Sequence, residues 1–231
     1  MKFRFILAAV AAASALLFVS CKQDDPSEDD EEPNEEQQIE DKSKIKIDGD
    51  FADWAALQNV ATAVLPETDA AFEALKVFKA YADASYIFLY FEIDRTDLQT
   101  MDLFIDLDNS NATGQTANWT AMGAEVLLQS SFYPDQKGAA VYNPIVRVYG
   151  GEEGGTDWAW VDEAGMNFTD SAVSAKTDSI IAVEMRLIRE MMVLPNLGDS
   201  FTIGAIVENA GWSIIGKLPA EDNGLIVTSD K

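Results

Sequence analysis

From Ile45 to the C-terminus the apolar residues fall in short runs, rich in β-branched and aromatic side chains and separated by Gly, Asp, Asn and Pro. Runs of that kind read as strands. The pattern predicts them near 45–47, 58–65, 75–82, 86–93, 101–107, 123–129, 140–149, 157–161, 172–176, 179–188, 201–208, 212–216 and 224–228. Ser85 to Ile93 carries large side chains at successive positions, as a strand buried on both faces does. Ile180 to Leu187 alternates instead, with Glu184 and Arg186 on one face and Val183, Met185 and Leu187 on the other. Helical spacing is confined to Asp69–Ala74 and Arg189–Val193. Many short strands at close spacing predict an all-β fold, an antiparallel two-sheet β-sandwich occupying residues 45–231 as one domain.

The N-terminal pattern is different. Lys2 and Arg4 precede an apolar run from Phe5 to Val19. A charged start, a short greasy core and small residues at its end make a secretory signal peptide over residues 1–20. Leu17-Phe18-Val19-Ser20-Cys21 resembles the lipobox of bacterial lipoproteins, with Phe18 where Leu is usual. The resemblance implies acylation of Cys21, which is the one cysteine in the chain and so has no internal disulfide partner. Several acyl chains on one residue give stable membrane attachment. Residues 22–44 then hold eleven acids against Lys22, Lys42 and Lys44, with a single aliphatic residue, Ile39. Such a segment cannot bury enough apolar area to order itself and reads as an extended tether. Lys22-Gln23-Asp24-Asp25 also resembles the acidic signal that sends some Gram-negative lipoproteins to the cell surface; the other reading is a plain solvated spacer. The expected location is the outer membrane, facing outward.

Charge and composition then narrow the chemistry. The formal net charge is −24 at pH 7, and residues 45–231 carry twenty-nine acids against eleven bases. A domain of that sign repels nucleic acid and anionic headgroups, and suits neutral ligands or divalent cations. The chain has no histidine. That removes Ser-His-Asp and Cys-His catalysis and the commonest zinc and haem ligand. Carboxylate chemistry remains open, but Glu92, Glu125, Glu184 and Glu208 read as solvent-facing strand residues or as ion pairs, such as Glu184 with Arg186 or Arg189. The chain is expected not to be an enzyme.

Four segments resemble family 9 carbohydrate-binding modules and related DOMON-like domains. Ile47-Asp48-Gly49-Asp50-Phe51-Ala52-Asp53-Trp54 is similar to their opening "IDG…W". Leu75-Lys76-Val77 through Tyr86-Ile87-Phe88-Leu89-Tyr90 is similar to their "KV…YLY" strand pair, Met101-Asp102-Leu103-Phe104-Ile105-Asp106 to "VEIFID", and Ile181 to Leu187 to a later strand carrying a glutamate. The resemblance implies a jelly-roll-like sandwich and, in its sugar-binding members, two tryptophans around a terminal sugar ring. Here Thr96 to Thr100 has no aromatic residue, Trp212 stands in the C-terminal region, and Asp102 keeps the acidic position. Some DOMON-like domains hold haem, a reading that the absence of histidine opposes.

The candidate ligand contacts are therefore Trp158, Trp160, Trp119, Trp212 and Asp102. Trp158 and Trp160 alternate about Ala159, so on a strand both point to one face, a stacking platform beside the Gly150–Gly155 loop unless that face is the core. Trp54 reads as core packing. Asp106, Asp108 and Ser110 stand at i, i+2 and i+4 like the start of a calcium loop, or else form an Asx-rich turn. The expected partners are a glycan, a membrane through the lipid anchor, and no nucleic acid; the alternative is a module that docks on envelope proteins without a small ligand.

Overall fold

The structure is a computed structural model that describes residues 43–67, 72–94, 98–134, 140–142, 144–165, 170–189 and 197–230. The expected signal peptide, Cys21 and the expected tether as far as Lys42 lie outside them. So do residues 69–71 of the first helical candidate and 190–193 of the second; Glu73 and Ala74 instead bond to Gly216 and Ile215.

Thirteen strands are described: β1 (Ala61–Val64), β2 (Leu75–Ala82), β3 (Tyr86–Asp94), β4 (Thr100–Asp106), β5 (Val126–Pro134), β6 (Ala140–Tyr142), β7 (Ile145–Tyr149), β8 (Trp160–Gly165), β9 (Asp170–Ala175), β10 (Ile180–Ile188), β11 (Ser200–Glu208), β12 (Ile214–Leu218) and β13 (Leu225–Thr228). They form two antiparallel sheets. One has five strands in the order β1-β2-β3-β10-β9; the other has eight, β12-β11-β4-β5-β7-β8, with β13 on β11 and β6 on β5. The expected all-β two-sheet sandwich is the fold. Two expectations fail locally: Ile45–Ile47 is not a strand, and the run 140–149 is two strands with Pro144, which lacks an N–H for the ladder, between them.

Period-2 alternation explains the core. Ile87, Leu89, Phe91 and Ile93 of β3 and Ile181, Val183, Met185 and Leu187 of β10 face Met101, Leu103, Ile105, Leu128, Phe201, Ile203 and Val207 of the other sheet. Each outer face is also partly covered. Ile45 and Trp54 of the N-terminal segment lie on Tyr81, Phe88 and Tyr90, which is why β3 carries large residues on both faces. On the eight-stranded sheet, Trp119 and Met122 cover Phe104, Leu127 and Ile206.

Glu184 organises the first of these covers. It is fully buried and accepts hydrogen bonds from the backbone N–H of Asp48 (2.9 Å) and Gly49 (2.8 Å) and from Trp54 Nε1 (3.1 Å). Gly49 has φ 82°, a conformation that favours glycine. The expected pairing of Glu184 with Arg186 or Arg189 is thus replaced by a neutral cradle of donors.

Candidate functional site

The outer face of the eight-stranded sheet is polar at its β4/β11 end. Strand register pairs Thr100 with Glu208 and Asp102 with Ile206, and on the other side Asp102 with Gln129. A chain of hydrogen bonds crosses four strands here. Gln129 Nε2 donates to Asp102 Oδ2 (2.8 Å), Arg147 Nη1 donates to Gln129 Oε1 (2.6 Å), and Arg147 Nε donates to Asp162 Oδ1 (2.7 Å). These bonds fix the orientation of the Gln129 amide. Asp102 is only 2 % exposed, so it lies beneath the surface, which corrects the expectation of a direct ligand contact. Burial pushes its carboxyl up to about 7, with Glu208 adding to the rise. Burial also raises Glu208.

A cavity of about 400 Å³ opens beside this end, lined by Leu98, Gln99, Asn209, Ala210, Gly211 and Ser213. Trp212 belongs to the same β11–β12 turn and is 66 % exposed. The turn is pinned by Asn209, whose Oδ1 accepts from Gly211 N (2.9 Å) and Ser213 N (3.1 Å), while Trp212 N donates to Asn209 O (3.0 Å). Trp212 has φ 59°, a left-handed backbone that is rare for a bulky residue.

The other aromatic candidates are placed differently. Trp119 is buried at 2 % exposure, its Nε1 donating to Pro219 O (2.9 Å). It lies so close over Gly204 that a Cβ there would meet the ring at 2.5 Å. This corrects the expectation of a ligand contact, because no ring face is left to stack on. Trp158 precedes β8 instead of lying on it, and is 59 % exposed. Trp160 packs edge-on against Phe104, and the two indoles stand 69° apart with centroids at 6.3 Å. They form an edge contact, not the coplanar platform expected of alternate strand positions.

The oxygen-rich loop after β4 gathers carboxylates. Asp106, Asp108 and Glu125 each offer an oxygen within 4.8 Å of the others. Asp106 accepts from Ser110 N and Gly123 N (both 3.2 Å), Glu125 Oε2 from Leu107 N (2.8 Å), and Thr113 Oγ1 donates to Asp108. Glu125 Oε1 is buried without a partner. Burial raises both Asp106 and Glu125. Three hard oxygen ligands suit a cation of the calcium or magnesium kind. Ser110 touches the group through its N–H to Asp106, its hydroxyl accepts from Ala112 N (3.2 Å), and Glu125 joins the two aspartates as the third carboxylate. The sequence carried a signal for Glu125, since it falls within the run 123–129 predicted as a strand; it immediately precedes β5, and its N–H bonds to Ile105 O (3.1 Å) near the end of β4. The same loop is stitched to the one before Trp158, through Gly154 N to Gly114 O (3.0 Å), Thr116 N to Gly155 O (2.9 Å) and Gln115 Nε2 to Asp157 O (2.9 Å).

No protein-family model and no curated protein matches the chain. Among solved structures, the cytochrome domain of Myriococcum thermophilum cellobiose dehydrogenase is similar at 14 % identity and a TM-score of 0.35, over 73 % of this chain and 82 % of that one. The sandwich described above rests on this chain's own strand pairing.

Proposed function

We propose that the chain is a non-catalytic, glycan-binding β-sandwich, carried on an outer-membrane lipoprotein and held outside the cell by acylated Cys21. The observation that carries the reading is the exposed Trp212, set in a strained backbone on the turn that lines the cavity beside the Asp102–Gln129–Arg147–Asp162 row. A strained position on a bulky residue persists only where its surroundings hold it, and such positions concentrate at ligand sites. An exposed indole stacks on the apolar face of a sugar ring, and the polar row offers donors and acceptors for hydroxyls. The test is a glycan array with the full-length chain and a Trp212→Gly variant. Wild type should bind at least one oligo- or polysaccharide, and the variant should lose most of that binding with its thermal transition kept. A wild type that binds no glycan hands the reading to the protein-docking alternative; a variant that binds equally well moves the site off Trp212.

A second element of the reading is calcium at Asp106, Asp108 and Glu125, supported by the convergence of the three carboxylates. A ligand bound only by the native state stabilises it by mass action. Millimolar calcium should raise the melting temperature, by about 2–4 °C for each kcal/mol gained in a domain of this size. The increment should vanish in Asp108→Ala and Glu125→Gln. Superimposable melting curves with and without calcium would refute the site.

A further inference from the structure

In the cavity beside Trp212 the backbone is tied down while the polar side chains are left unengaged. Gln99 N donates to Glu208 O (2.9 Å) and Gln99 O accepts from Phe132 N (2.8 Å), which fixes that residue between β11 and β5. On the turn, Asn209 N donates to Ser213 O (3.1 Å), and Asn209 Oδ1 accepts from the N–H groups of Gly211 and Ser213. Those two bonds settle which end of the Asn209 amide is the oxygen and use both of its lone pairs. The Asn209 amide therefore has only its Nδ2 donors left. Among the described residues nothing bonds to that Nδ2, to the Gln99 carboxamide or to the Ser213 hydroxyl. Leu98 and Ala210 give the cavity its apolar lining, and no ionisable side chain lines it. At about 400 Å³ it falls within the range of ligand pockets, which begin at roughly 300 Å³.

We propose that the cavity takes a neutral acetamido sugar, a glycan unit bearing an N-acetyl group, with Asn209 and Gln99 as the specificity-determining contacts. This rests on the glycan reading above and names its ligand class. An acetamido group carries a carbonyl acceptor, an N–H donor and a methyl. The free Nδ2 of Asn209 meets the carbonyl, the free Oε1 of Gln99 meets the N–H, and Leu98 and Ala210 meet the methyl, while the exposed Trp212 indole stacks on the ring. A hydroxyl in the same place pairs with the amides but leaves the apolar lining against water. A free ammonium is a donor only and sets its N–H groups against those of Asn209. A uronate brings a charge that no side chain of the cavity neutralises.

The experiment measures binding of the full-length chain to an N-acetylglucosamine oligomer, a glucosamine oligomer and a glucose oligomer, all β-1,4-linked and of equal length. The acetamido oligomer should bind about tenfold tighter than the glucose oligomer, the scale of one neutral hydrogen bond together with one buried methyl, and tighter than the amine. Asn209→Asp keeps the acceptor that pins the turn and removes the Nδ2 donors, so that ratio should fall toward one with the thermal transition kept. Gln99→Met keeps the side chain's length without its amide; the ratio should fall there too, and it reads the same recognition should Asn209→Asp fail to fold. A glucose or glucosamine oligomer that binds as tightly as the acetamido one overturns the inference and leaves the glycan reading standing. So does a wild type that binds some other polysaccharide and none of these three. A full ratio in both variants overturns recognition by this cavity. Failure of every sugar overturns both readings.

Discussion

At Trp212 a left-handed backbone on an L-residue costs about 1–2 kcal/mol, a cost glycine does not meet. Trp212→Gly relieves it and adds chain entropy to the unfolded state, so the two effects nearly cancel, and stability should move by less than about 1 kcal/mol. That near-cancellation makes the variant a clean probe of binding. Asp102 sets a pH dependence. Burial holds its folded-state pKa at about 7, above its ordinary value, so the folded chain keeps a proton that the unfolded chain releases first. Below about pH 4 the residue is protonated in both states and carries no penalty. Between there and about pH 7 stability falls as pH rises, and above that the penalty is complete. Glu208, Asp106, Glu125 and Glu184 are shifted the same way. The melting temperature should therefore be higher at pH 5 than at pH 8, and Asp102→Asn should flatten part of that slope. An identical slope in the variant would place the dependence elsewhere.

At the scale of elements, the N-terminal segment is strapped to the five-stranded sheet through one side chain. Glu184→Ala leaves the N–H groups of Asp48 and Gly49 and the Trp54 indole N–H without their acceptor in a buried place. Each unmet donor costs about 1–3 kcal/mol, so a loss of about 3 kcal/mol or more is expected in urea unfolding, together with red-shifted Trp54 fluorescence as water reaches the strap. An unchanged midpoint would mean the strap is not held through Glu184. The contrast between Glu184 and the strands shows what the chain's pattern discloses. Strand positions were legible because period-2 alternation is local: β2, β3, β10 and β11 match their expected runs to within a residue at either end. The partners of Glu184 lie more than a hundred residues away, and no local pattern encodes them. Trp119 was misplaced for the same reason, since what covers it, Gly204 below and Pro219 at its N–H, arrives from β11 and the segment after β12. The carboxylate cluster was half legible: Asp106 and Asp108 stand two apart in sequence, whereas Glu125 joins them across the β4–β5 pairing. Trp158 and Trp160 misled because alternation about Ala159 implies one face only within a strand, and β8 begins at Trp160.

Across the whole sandwich, the two ends of the described domain meet. Lys44 Nζ and the Tyr81 hydroxyl both donate to Asp230 Oδ2, at 2.6 and 3.0 Å, and Asp230 N bonds to Ala82 O (2.8 Å). Tyr81 and Ala82 close β2 of the five-stranded sheet, and Tyr81 lies on its outer face, under the N-terminal strap. The candidate binding face is the outer surface of the other sheet, so the chain enters the domain on the side away from Trp212 and the Asp102 row. The proposed anchoring at Cys21 and the proposed glycan binding are tested apart by one variant. Under the proposed acylation of Cys21, Cys21→Ala should release the protein from the membrane fraction, or leave it there uncleaved, and a released protein should keep whatever glycan binding the wild type shows. A processed Cys21→Ala protein that remains membrane-bound after a high-salt wash would show attachment by something other than this residue, because charge-based association of so acidic a chain is screened by salt and an acyl anchor is not.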